Sequence, residues 1–164
     1  MTRRNWLWTG LGLALLVVTC GTTLWAKPLF RKEAKPKPIA WQSDLYAAHK
    51  LALETNRPMM VVFGASWCGY CRKLDHEIAS DAKLVDQING DFIPVHLDFE
   101  SDQRIATILE VRSLPTTIIL SPDADLLGSV VGYVRRAEYQ KALQSATERY
   151  ESLQSGTPAV VRTN

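Results

Sequence analysis

The sequence is poor in cysteine, holding three in 164 residues, and that is too few for a framework of disulfide staples. It is also nearly neutral, with a formal net charge of +2, and its charges form no basic patch of the kind that tracks nucleic acid. No internal repeat is visible, so a solenoid or array is excluded. From Trp6 to Trp25 there is no charged residue at all. The apolar share of 46% is enough for one ordinary domain with a core, plus extensions.

The small net charge conceals a division. Residues 1–38 carry seven basic side chains (Arg3, Arg4, Lys27, Arg31, Lys32, Lys35 and Lys37) against Glu33, net +6, so the rest of the chain is net −4. A basic leader therefore precedes a mildly acidic domain. The uncharged run 6–25 just reaches the roughly 20 residues a helix needs to cross a bilayer. Its ends carry Trp6, Trp8 and Trp25, whose indoles favour the membrane interface. Residues 1–26 are thus expected to be a membrane anchor or signal segment. Leu24 ill suits the cleavage pattern that Ala26 would need, which favours an uncleaved anchor. Cys20 reads as an apolar residue of that segment.

Orientation draws two opposed signals. Basic residues are denser after the apolar run than before it, which taken alone would hold the domain in the cytoplasm. Thr2-Arg3-Arg4-Asn5-Trp6-Leu7, however, resembles a twin-arginine export signal. The expectation is a single-pass anchor in the cytoplasmic membrane with the domain outside. Residues 27–40, rich in Pro and Lys, read as an extended, solvated linker.

The domain is expected over 41–152, with 153–164 as a disordered tail. Ser43 is a candidate N-cap for a helix to about Asn56, with Leu45, Ala48, Leu51 and Ala52 at helical spacing. Met59–Phe63 is a continuous apolar run bounded by Pro58 and Gly64, the pattern of a strand buried on both faces. A helix from Cys71 to Ala79 follows, then one from the Ser80-Asp81 cap to Asn89-Gly90 and a strand over 92–98. A short helix at 102–110 presents Ile105, Ile108 and Leu109 together. Strands 117–120 and 127–133 flank a turn at Pro122-Asp123-Ala124-Asp125, and a final helix covers 136–150. Alternation of helix and strand requires parallel pairing first, and the late hairpin is antiparallel, which makes an α/β fold with a mixed sheet between helices.

Cys68 and Cys71 form the one tight C-x-x-C pair, so a redox or a metal site is the chemistry on offer. The pair follows a buried strand and begins a helix. There, free backbone N–H groups and the helix dipole stabilise a thiolate, the nucleophilic form of cysteine. Cys68 is the expected nucleophile, with its sulfur exposed. Cys71, three residues on, is placed to resolve a mixed disulfide.

Trp67-Cys68-Gly69-Tyr70-Cys71, Leu114-Pro115-Thr116 and Val131-Gly132-Tyr133, in that order, resemble the active site, cis-proline loop and groove-flanking glycine of the thioredoxin superfamily. The likeness runs from about Trp41 to Tyr150 and is nearest to exported or membrane-associated members. It implies a thioredoxin fold, thiol–disulfide exchange with protein thiols and disulfides, and no cofactor beyond a Cys68–Cys71 redox disulfide. It also implies substrate contacts at Trp67, Gly69, Tyr70, Leu114, Pro115 and Gly132, with Pro115 in the cis form. An extracytoplasmic reductase of this kind needs a membrane electron donor.

Two departures stand out. Where thioredoxin has a buried aspartate six residues before its first cysteine, this chain has Val62, and the accompanying lysine has no match, Pro94 lying nearest. Glu77, His76 and His96 are the candidates left to take a proton from Cys71. Gly-Tyr between the cysteines resembles the dipeptide of bacterial disulfide isomerases, so isomerase or oxidase activity is a competing reading. The others are a metal-handling protein using Cys68, Cys71, His76 and His96, and an anchored peptide-binding module without redox activity.

Overall fold

In the computed structural model the structure describes residues 37–156. The expected anchor 6–25, Cys20, most of the linker and residues 157–164 lie outside them. Among the described residues no helix is long and apolar enough to cross a membrane.

The elements are α1 (Leu45–Thr55), β1 (Met59–Gly64), α2 (Gly69–Ala79), α3 (Ala82–Asp91), β2 (Ile93–Asp98), α4 (Gln103–Ile108), β3 (Thr116–Leu120), β4 (Leu126–Val131) and α5 (Arg136–Gln154). The strands form a sheet in the order β2-β1-β3-β4. β1 and β2 are parallel, as a crossover through α2 and α3 requires, while β3 is antiparallel to both β1 and β4. Every residue of β1 is buried, as its unbroken apolar run predicts.

Alternation along β1 divides the core into two clusters. Met60 and Val62 pack with Leu74, Ile78, Ile88, Tyr139 and Leu143 of α2, α3 and α5. Met59, Val61 and Phe63 pack with Ala48 and Ala52 of α1 and Ala106 of α4. The outer edge of β2 is met by Gln42, which pairs with Val95 and exchanges backbone hydrogen bonds with Pro94 and His96 at 2.8 and 2.9 Å. Trp41 is thereby carried against the His96 ring, edge on at 5.4 Å.

Several expectations need correction. The cap of α1 is Asp44, which accepts from the N–H groups of Tyr46 and Ala47, and not Ser43. Gly90 does not end α3, which runs to Asp91. Arg57 reaches the carbonyls of Asn89 and Phe92 there, and the Asn89 side chain is bonded to Ala40 N and Pro38 O. Ile108 points outward, 70% exposed, while Ala106 and Val111 take the buried positions beside Ile105 and Leu109. α5 continues to Gln154, so residues 153 and 154, assigned from the sequence to the tail, are helical. Ile39, assigned to the linker, packs on the core.

Candidate active site

The sheet delivers the cysteine pair through β1, whose C-terminal end leads by Ala65-Ser66-Trp67 into α2. Cys68 is the N-cap of that helix, in extended conformation, and its Sγ accepts the N–H of Cys71 at 3.1 Å. The turn is fixed by Cys68 N–H donating to Ala65 O at 3.0 Å and by Arg72 Nη1 donating to Ser66 O at 2.7 Å. Cys68 and Cys71 are joined by a disulfide, with Cα atoms 5.3 Å apart. One bond thus links a sulfur at the helix N-terminus, where negative charge is stabilised, to a sulfur one turn inside it.

Both cysteines are almost equally covered, at 6% and 4% exposure, and pack with Ala65 and Leu114. The expected exposure of the Cys68 sulfur is therefore not met in this disulfide form. The Leu114–Pro115 peptide is cis, as the motif implied. Pro115 O accepts the N–H of Gly132 at 2.7 Å, which ties the proline loop to the end of β4. Gly132 has φ +81°, a conformation that favours glycine, and this breaks the strand two residues earlier than the sequence suggested.

Around the disulfide the surface is aromatic. Trp67 and Tyr70 are each 64% exposed, and Gly69 between the cysteines is open to solvent. Trp67 Nε1 donates to Glu100 at 3.1 Å, which holds the indole toward the loop after β2. Tyr70 lies 5.9 Å from Tyr133, whose hydroxyl donates to Glu77 and whose ring carries Lys73 Nζ 4.3 Å from its centre. Tyr133 and Lys73 had no role in the sequence reading. Their positions, directly after Gly132 and two residues after Cys71, were the available signal.

The candidate proton acceptors separate clearly. His76 is on the exposed face of α2, and Glu77 is engaged by Tyr133. His96 is on the cysteine side: it stands opposite Val62 in the β1–β2 register, and its ring and the Cys71 Cβ both border the position a Gly64 side chain would take. Pro94, the position nearest the missing lysine, stands opposite Met60 in that register. Asp75, one helical turn after Cys71, approaches His96 Nε2 to 3.6 Å and was missed from the sequence. Its i+4 spacing from Cys71 could have revealed it. Among the described residues no three of His, Cys, Asp or Glu are grouped to hold a metal ion.

Residues 45–147 match a family described as a thioredoxin-like domain. A thioredoxin of Mycoplasmoides gallisepticum is 30% identical over 95 residues, 56% of this chain and 87% of that one. Protein disulfide-isomerase 2-3 of Arabidopsis thaliana is 33% identical over 94 residues, again 56% of this chain but only 20% of that protein's length. Among solved structures, a thioredoxin from Thermus thermophilus superposes with a TM-score of 0.65 at 24% identity, over 73% of this chain and 95% of that one. A structure described as a DsbH oxidoreductase gives 0.60 at 18%, over 70% and 88%. At such identities the two structures speak for the fold.

Proposed function

The chain belongs to the thioredoxin-like domain family and is a thiol–disulfide oxidoreductase, and from that premise we propose that it reduces disulfides of protein substrates on the outer face of the cytoplasmic membrane. The observation that carries the reading is the Cys68–Cys71 disulfide at the N-terminus of α2, with the Cys71 N–H directed at Cys68 Sγ.

In the reduced protein Cys68 is the thiolate, stabilised by that N–H and by the helix dipole. It attacks one sulfur of a substrate disulfide, and the other substrate sulfur leaves with the electron pair. Cys71 then attacks Cys68 Sγ, the bond from Cys68 to substrate breaks, and the second substrate thiol is released. Two electrons pass from the protein dithiol to the substrate. Trp67, Gly69 and Tyr70 offer the contact surface on one side. On the other, Leu114, Pro115 and Gly132 are positioned for an extended polypeptide to pair along the proline loop. The absence of histidine between the cysteines supports reduction over oxidation, and the uncharged segment 6–25 with Arg3-Arg4 supports an exported, anchored domain. Electrons would then come from a membrane partner.

The test is the reduction potential of the Cys68/Cys71 pair in the full chain, equilibrated in graded thiol buffers and read by alkylation. A value near or below about −270 mV is expected of a reductase. A value of about −180 to −120 mV would move the protein to the isomerase or oxidase reading, and no reversible two-electron step would leave a binding module. Impermeant alkylation of intact cells after mild reduction tests the outward orientation, which requires Cys68 to be labelled.

A further inference from the structure

When Cys71 attacks, its thiol must lose a proton, and it does so under cover at 4% exposure. The strand beside it offers no base, since Val62 is apolar and buried and Gly64 has no side chain. The missing Cβ of Gly64 leaves a gap that the neighbouring strand fills. A Cβ built there would meet His96 Cε1 at 3.1 Å, His96 Nε2 at 3.4 Å and Cys71 Cβ at 3.6 Å, so the imidazole and the resolving cysteine converge on one point. Asp75 Oδ2 lies 3.6 Å from the same Nε2, while Asp75 Oδ1 is buried with no hydrogen-bond partner among the described residues. A half-satisfied carboxylate in such a place gains from a cation arriving beside it. Trp41 blocks the ring from drifting outward.

We propose that His96, held by Asp75 across the gap left by Gly64, accepts the Cys71 thiol proton as Cys71 resolves the mixed disulfide. The proton moves from Cys71 Sγ to the free nitrogen of the His96 imidazole, directly or through water. The sulfur's electron pair forms the Cys71–Cys68 bond, the Cys68–substrate bond breaks, and the substrate sulfur leaves as a thiolate that takes its proton from solvent. Asp75 is the positioning residue, orienting the ring and stabilising the imidazolium. Asp75 and Cys71 face His96 from α2. β1 presents Val62 and Gly64, and the incoming segment Trp41. On its own strand, Asp98 Oδ1 is occupied by the N–H groups of Glu100 and Ser101. Tyr139 of α5 lies near Asp75, and burial keeps its hydroxyl protonated.

The inference rests on the reading of Cys71 as the resolving thiol, and one assay separates the two. The full chain, with Cys20→Ser to remove the third thiol, is reduced, freed of reductant and mixed with 5,5′-dithiobis(2-nitrobenzoate). Attack by the first cysteine releases one chromophore, and resolution by the second releases another. The second release is followed from about pH 5 to 9. The wild-type rate should rise with pH less steeply than thiol ionisation alone would make it. His96→Gln should slow the second release about a hundredfold at neutral pH and make it rise tenfold per pH unit, tracking thiol ionisation alone. Asp75→Asn should slow the second release at neutral pH while leaving the first unchanged. A folded His96→Gln protein with an unchanged profile would overturn the proposal. So would a wild-type rate that rises tenfold per pH unit throughout, which decides the matter should His96→Gln fail to fold. A wild-type protein giving no second release would instead remove the resolving role of Cys71, and this inference with it.

Discussion

Asp81→Ala is expected to weaken the junction behind the active-site helix by a calculable amount. Asp81 caps α3, its Oδ1 accepting from Lys83 N at 3.0 Å and Leu84 N at 3.2 Å, and its Oδ2 faces Arg136 of α5 at 3.3 Å. Loss of such a cap costs about 1 kcal/mol. The Arg136 pair is solvent-screened and adds only about 0.3 kcal/mol. Together that is about 1.3 kcal/mol, or a fall of roughly 5 °C in Tm. The Leu84 N–H, the largest effect, holds the carboxyl below its ordinary value of 3.8; burial opposes it next, and the Lys83 N–H and Arg136 guanidinium add to the lowering. Because the folded-state carboxyl is the stronger acid, its stabilisation is complete above about pH 4 and disappears as pH falls through its own titration. The gap between wild type and Asp81→Ala in urea unfolding should therefore be full at pH 7 and shrink toward pH 3 and below. Asp81→Asn, an equally good cap, should lose only the Arg136 contribution. A gap that is absent at pH 7, or undiminished in acid, would refute the reasoning.

Two further substitutions probe the core and the site. Tyr139→Phe removes a hydroxyl bonded to Thr117 Oγ1 at 3.1 Å and orphans a buried Thr117, so a loss of about 1–2 kcal/mol is expected in urea unfolding, largely restored by adding Thr117→Val. Burial raises the Tyr139 hydroxyl far above its ordinary value of 10.0, so the unfolded chain ionises first and stability falls as pH rises past 10. Tyr139→Phe should move the onset of alkaline unfolding upward, and an unmoved onset would count against that assignment. Gly64→Ala sets a methyl 3.1 Å from a His96 ring already confined by Trp41 and Asp75. About 1 kcal/mol of stability should be lost, and resolution by Cys71 should slow. Wild-type values in both measurements would show that the ring yields freely.

What the sequence made legible was local. Met59–Phe63 announced a doubly buried strand because five apolar residues in a row suit no half-exposed element, and the placement of Trp67-Cys68-Gly69-Tyr70-Cys71 after it followed directly. The cis peptide at Pro115 came with the family's motif and is present, while the positive φ at Gly132 ends β4 earlier than the strand expected to Tyr133. Errors gathered where a neighbour distant in the chain decides. Asn89-Gly90 has the composition of a helix end, but Arg57, more than thirty residues earlier, caps the carbonyls there and lets α3 run on. Ile108 fits an apolar stripe, yet Ala106 and Val111 are the residues that meet α1's side of the sheet. Ser43 and Asp44 are both capping residues. Pairing of Gln42 with β2 keeps the chain extended up to Asp44, which then makes the turn.

The same distinction explains why the acid–base chemistry of the site was the least legible part. Redox function needs residues adjacent in sequence, because a helix N-terminus and a thiol pair three apart are both features of one short segment. Proton transfer needs only adjacency in space. A sheet face can supply it from whichever strand or helix abuts the second cysteine. In this chain β1 gives up that task at Val62 and Gly64, and the register of β2 brings His96 opposite the first and over the second. α2 adds Asp75 one turn below Cys71. None of the three choices is informative alone: a glycine at a strand end, a histidine in a strand and an aspartate on a helix each have ordinary structural explanations. Together they put a proton acceptor and its counter-charge beside a covered thiol. A chain lacking the strand carboxylate therefore still has a route for the proton that its chemistry must move.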